Sequence, residues 1–136
     1  MNHRANGDHW LSWRGALLVL ASVFFATPAF AAASVTVLVD EGGLHMSSGK
    51  AVYAAQVQGV TNIQLIVKNG KVSQPIQWPK VDGLPVTSSG YDPHSNTFSF
   101  GLTPQRAGDF TVPAFDLRTD DGQTLHVGPL KFHATP

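Results

Sequence analysis

Between Leu102 and Phe132 the chain carries a hairpin whose register is readable from its side chains. Asp120-Asp121-Gly122 suits a three-residue loop: a type I turn, then glycine in the left-handed conformation. Placing Thr119 opposite Gln123 sets Leu117 against Leu125, Phe115 against Val127, Val112 against Leu130 and Phe110 against Phe132. Opposed residues of an antiparallel pair share a face, so four apolar pairs form at once and a slip of one residue would destroy them all. The phase changes midway, because Phe115 and Leu117 are odd-numbered and Phe110 and Val112 even. Pro113 and Pro129 stand opposite each other at that change, and proline gives no N–H to a ladder. Two arrangements meet this pattern. In the favoured one both arms bend together and the hairpin curls around a sandwich edge; in the other it breaks into two short hairpins.

The remainder of the chain reads as short strands with turn punctuation. Val35, Val37 and Val39 alternate with Ser34, Thr36 and Leu38 in a first strand that ends at Asp40-Glu41-Gly42-Gly43. Tyr53, Ala55 and Val57 form the inner face of a second. Ile63, Leu65 and Val67 form that of a third, after a turn at Gly59–Asn62. Asn69-Gly70 signals a tight turn. From Pro75 to Gly90 three prolines limit pairing, which predicts an edge strand or a long crossover and an edge blunted by Pro75, Pro79 and Pro85. Phe98, Phe100 and Leu102 alternate with Thr97, Ser99 and Gly101 in a half-buried strand. No stretch after residue 33 has a helical period, and none repeats. The expected fold is an all-β, immunoglobulin-like antiparallel β-sandwich of about seven strands.

Residues 1–31 are expected to be a secretory signal peptide. Arg4 and Arg14 supply positive charge, Gly15–Phe25 is small and apolar, and Pro28 precedes Ala29-Phe30-Ala31, a small-x-small cleavage pattern. Cleavage after Ala31 or after Ala33 are the two options. The apolar run falls short of the roughly 20 residues of a comfortable transmembrane span. Residues 32–136 then form a single domain of 105 residues, long enough to bury a core without the disulfides that an oxidising compartment would permit; the chain has no cysteine. Seven cationic side chains face eight carboxylates in this part, a net charge of −1. Such a surface argues against nucleic acid or anionic membrane as a partner. The expectation is a soluble periplasmic or secreted protein with no stable membrane span after cleavage.

The run from Phe98 to Phe132 resembles the amino-terminal immunoglobulin-like domain of BatD, an envelope protein of the bacterial aerotolerance operon. The residues that carry the resemblance are Phe98-Ser99-Phe100, Leu102-Thr103-Pro104, Gly108, Phe110-Thr111-Val112-Pro113 and Asp121-Gly122. Trp78-Pro79-Lys80-Val81-Asp82-Gly83-Leu84 resembles a further family segment, and the Ser34–Asp40 strand fits the family's opening. Lys50 departs from it, standing where the family usually carries an acidic residue. The resemblance implies a role in protein–protein association at the cell envelope, beside von Willebrand factor A-domain proteins and a MoxR-type ATPase. It implies no turnover.

Catalytic and metal chemistry find little support in the residue pattern. His45, His94, His126 and His133 are scattered without ligand spacing. Asp116, Asp120 and Asp121 lack the spacing of a calcium loop. Ser47-Ser48-Gly49 has neither the glycines nor the context of a nucleophile elbow, and Gly42-Gly43 opens no helix that would cradle a phosphate. The expectation is a protein that is not an enzyme and takes no cofactor and no metal. A sandwich binds through loop tips or through an exposed strand edge. Trp78, Tyr91, Asp120 and Asp121 are the candidate interaction residues. Trp78 is either an interface anchor or, as favoured, a cap on the core. The second functional class is a periplasmic small-ligand or glycan-binding sandwich, which a concave pocket formed by Trp78 and Tyr91 would favour.

Overall fold

Alternation of buried and exposed side chains, set by the two-residue period of a strand, organises this chain. In the computed structural model, which describes residues 31–42, 45–72 and 75–136, ten strands form. They are β1 (Ser34–Asp40), β2 (Met46–Ser47), β3 (Tyr53–Gln56), β4 (Thr61–Lys68), β5 (Val86–Asp92), β6 (Thr97–Leu102), β7 (Gly108–Val112), β8 (Phe115–Arg118), β9 (Thr124–Val127) and β10 (Leu130–Thr135). Except for Ala31, the expected signal peptide lies outside the described residues.

One sheet has the order β2-β1-β4-β6-β5, a second the order β3-β10-β7, and β8 and β9 form a two-stranded ribbon. All three bury their apolar faces in one core. Ile63, Leu65, Phe98, Phe100 and Leu102 enter it from the first sheet. Tyr53, Phe110, Val112, Leu130 and Phe132 enter from the second, and Leu117, Leu125 and Val127 from the ribbon. This is the all-β sandwich expected from the sequence, and Ala32–Pro136 is one compact unit. The strand total is ten where about seven are expected, for two physical reasons. Prolines split each hairpin arm in two, and β2 is a two-residue fragment; rejoining the arms and setting β2 aside recovers seven. One pair also departs from the antiparallel rule. β3 runs parallel to β10, with Tyr53 opposite Phe132 and Ala55 opposite Ala134. Most of the chain separates these two strands, so no tight turn dictates their relative direction.

The hairpin has the expected register. Phe110 pairs with Phe132, Val112 with Leu130, Phe115 with Val127 and Leu117 with Leu125. At its tip the Thr119 N–H donates to the Gln123 carbonyl at 2.9 Å and the Gly122 N–H to the Thr119 carbonyl at 3.0 Å. Gly122 has φ 89°, the conformation that favours glycine here. At the switch, two residues drop out of the ladder on each arm, Pro113-Ala114 and Gly128-Pro129. Because the loss is equal, the register continues unchanged, while the face that points inward is exchanged. The register is thus continuous across the prolines, while the two halves belong to different sheets.

Other boundaries move slightly. Val57 packs against the core but lies just past β3, its N–H donating to the Thr135 carbonyl at 2.9 Å. The turn before β4 falls at Gln56–Gly59, not Gly59–Asn62, because Gln58 takes a left-handed φ of 66° and Gly59 N–H closes on the Gln56 carbonyl at 3.0 Å. Asn69 turns the chain at φ 59°. The segment it leads into bridges the hairpin tip at Val72 and Thr119, so it does not return alongside β4.

Truncating Leu117 or Leu125 to alanine is expected to cost about 2–4 kcal/mol each. Because the two side chains oppose each other, the double variant should lose less than the sum, with a coupling of about 0.5–1 kcal/mol in urea unfolding. Strict additivity would contradict the pairing.

Candidate functional site

β5 is the longest strand at a sheet edge, and its composition explains why it sits there. Its sequence, VTSSGYD, is exposed at every position, so neither face supplies the apolar stripe that would draw it inward. One side pairs with β6, where Ser89 opposes Phe100 and Tyr91 opposes Phe98; the other side has no strand partner among the described residues. The expected proline blunting is not found on this edge. Pro75, Pro79 and Pro85 all lie in the crossover before it, and β5 itself contains no proline and no charge until Asp92.

The turn from β5 to β6 is fixed by side chains. Asp92 accepts the His94 N–H at 3.0 Å and the Ser95 hydroxyl at 3.1 Å, and these bonds, the first above all, lower its pKa. Asn96, at φ 52°, donates to the carbonyls of Val67 and Gly70 at 3.1 and 2.8 Å and accepts the Tyr91 hydroxyl at 3.0 Å. Asn96 therefore ties the β5–β6 hairpin to the end of β4. Sequence reading missed it; a polar residue just before a clear strand, able to adopt the left-handed conformation, is the signal that was there to find.

Beside this edge lies a groove of about 730 Å³ whose lining includes Ile76, Trp78, Val81, Val86, Ser89 and Phe100. The crossover builds its wall. Trp78 is half-buried, its ring 4.7 Å from Phe100 and 5.3 Å, edge-on, from Phe115. The Leu84 N–H donates to the Val81 carbonyl at 3.1 Å across a turn in which Gly83 takes φ 79°. The turn is pinned to the loop after β6, since Gln105 N–H donates to the Gly83 carbonyl at 2.9 Å and Thr103 N–H to the Pro85 carbonyl at 3.1 Å. The Arg106 guanidinium lies 4.9 Å from the Phe110 ring centroid and covers Gly83, where a Cβ would stand 3.0 Å from Phe110.

The four candidate interaction residues do not converge. Trp78 lines the groove. Tyr91 is on β5, its ring 4.6 Å from Phe98, and is not among the groove's lining residues. Asp120 and Asp121 occupy the hairpin tip. The Asp120 N–H donates to the Lys71 carbonyl at 2.8 Å. The Asp121 carboxylate accepts the Thr119 hydroxyl and, at 2.9 Å, the Gln123 amide, and those bonds, led by the hydroxyl, lower its pKa. The histidines of the hairpin point outward, each against the aspartate opposite it: His126 with Asp116 at 2.6 Å and His133 with Asp109 at 2.7 Å. Among the described residues no three histidine or carboxylate side chains cluster as metal ligands do.

The other sheet edges differ from β5. β2 has two residues. β7 carries Asp109 and stops at Pro113. β3 has the Ala54 N–H held by the Glu41 carboxylate at 2.7 Å, and the same carboxylate holds the Lys50 ammonium at 2.8 Å. The bond from Lys50, then that from Ala54, draws the Glu41 pKa down to about 2. Lys50, a departure from the BatD pattern, thus has a partner in this chain. Comparison with family models, with curated proteins and with solved structures finds no match to the chain.

Two outcomes follow from this geometry. Glu41 is more acidic folded than its unfolded value of about 4.3. Its stabilising contribution is therefore complete above that value and is lost as pH falls toward 2. Glu41→Gln should cost about 1–2 kcal/mol at pH 7, a figure discounted for the exposure of Lys50, and almost nothing near pH 2. Urea unfolding at both pH values checks it; equal losses at the two would contradict it. Gly83→Ala should cost about 1–3 kcal/mol by the same measurement, since Arg106 can move aside but the positive φ and the Phe110 contact remain.

Proposed function

We propose that this chain is an exported, non-catalytic protein-interaction module, similar in role to the amino-terminal domain of BatD and working in an envelope assembly. The observation that carries the proposal is β5, seven exposed residues with one edge unpaired among the described residues and no proline or mid-strand charge to discourage a partner. The resemblance over Phe98–Phe132 supplies the partner class, von Willebrand factor A-domain proteins of the envelope, and the aerotolerance setting. A second reading has one observation in its favour. The groove beside Trp78 and Phe100 offers an aromatic wall to a small ligand or glycan. Tyr91 lies outside that wall, so the groove alone lacks the second aromatic face that the ligand reading calls for.

The two expected cleavage positions differ in what they leave to the folded domain. The Ala33 N–H donates to the Gln123 side-chain carbonyl at 2.9 Å, and its methyl lies so close to Gly70 that a Cβ there would stand 2.9 Å away. Cleavage after Ala31 preserves both contacts within an internal peptide unit, whereas cleavage after Ala33 removes them.

Intact mass spectrometry of the exported protein is expected to give Ala32 as the first residue; Ser34 would contradict this. In-cell crosslinking of the tagged chain, followed by mass spectrometry, is expected to recover A-domain proteins. Recovery of nothing above background, with a thermal shift on adding sugars, would replace the module with the ligand-binding reading.

A further inference from the structure

We propose that β5 accepts an extended segment of a partner protein as a sixth strand of the five-stranded sheet, with an apolar side chain of that segment seated in the groove beside Trp78. This rests on the interaction reading above and adds where the partner binds, by what chemistry, and in which register.

An unpaired strand edge presents a row of N–H and C=O groups, and the chemistry that satisfies such a row is another extended backbone. The groove supplies what the row cannot, a means of choosing among strands. Ser89 opposes Phe100 across the β5–β6 ladder, and both line the groove with Trp78. Residues opposed across a ladder share a face, so an incoming residue opposite Ser89 points to the groove side. The residue two places along meets Tyr91, whose ring is 38% exposed and backed by Phe98. The residue between them opposes Gly90, where an added Cβ would find no heavy atom within 4 Å, so a bulky side chain has open room there. Val86, 40% exposed, extends the apolar lining toward the crossover.

These positions define the occupant. It is an extended segment with apolar residues two apart, any larger residue between them, and no charge through the centre, because β5 has no charge before Asp92 to complement one. A charge at one flank is tolerated beside Lys80 and Asp82, which line the groove. A free small molecule would fill the groove but leave the edge unpaired. An extended segment engages both.

The test places a photo-crosslinking residue, p-benzoylphenylalanine, at Ser89 or at the exposed Thr124 of β9 in the full chain, in cells that express it. The captured peptide is mapped, synthesised and titrated against the purified protein. The expected result is capture at Ser89 at least about tenfold above Thr124, by a segment with apolar residues two apart. Binding should fall about tenfold or more with Ser89→Lys, and as much when alternate amides of the peptide facing β5 are N-methylated, while methylating the intervening amides changes it little. The methylation pattern does not depend on the folding of any variant. Capture at Thr124 alone, or a peptide insensitive to methylation in either set, would overturn strand addition and leave the interaction reading standing; capture of a second copy of this chain at Ser89 would overturn the partner protein as occupant. Capture at neither position, together with an empty result from the tagged chain, would overturn both.

Discussion

The sandwich depends on the unbroken register of the β7–β10 hairpin across its proline interruption. Equal losses of two residues from each arm keep Phe110, Val112, Phe115 and Leu117 opposite their partners while exchanging the inward face. One covalent ribbon can therefore supply both the second sheet and the separate two-stranded layer. The rest of the chain is fastened to it. β3 adds to β10; Asp120 and Thr119 receive the segment after β4; Gln123 receives Ala33; and the loop leading into β7 holds the Gly83 turn. A slip of one residue in this hairpin would turn its apolar pairs outward and displace each of those attachments together.

Edges are the other organising constraint. A sandwich leaves strand edges where its sheets end, and an unprotected edge pairs with whatever strand it meets. Here one edge is two residues long, another is interrupted by charge and proline, and a third has an amide occupied by Glu41. β5 has none of these three devices; its pairing with β6 is shifted between Val86 and Ser88 and regular from Ser88 to Asp92. Its seven residues are nevertheless held in a defined shape by Asp92 and Asn96 at one end and by the Pro85–Thr103 bond at the other. An edge that is rigid and open suits recognition, because the partner strand alone bears the ordering cost.

How much of this was legible followed from how strongly each segment's side chains alternate. The hairpin, β1, β4 and β6 each carry a two-residue apolar period that marks an inner face, but only in the hairpin does a tight turn make the pairing readable; β6, expected half-buried, is buried on both faces because it lies between β4 and β5. β5 has no such period, since Val86, Thr87, Ser88, Ser89, Gly90 and Tyr91 are small or polar on both faces, and composition alone does not separate an edge strand from a crossover there. β2 is too short to show any pattern. The parallel pairing of β3 with β10 is a property of the whole topology and leaves no mark on either strand. At the site, Trp78 and Tyr91 stand out as aromatics, but their separation into groove wall and strand edge depends on where the crossover lays its chain. Gly83 and Asn96 carry backbone conformations that the sequence permits without requiring.

Residue-by-residue amide hydrogen exchange on the free protein tests whether β5 presents an open sheet edge. Alternate amides of β5, those facing away from β6, should exchange as fast as amides in exposed loops, while the intervening β5 amides and those of β4, β6 and β10 stay protected. Uniform protection along β5 would mean that something already covers this edge, and would contradict the account.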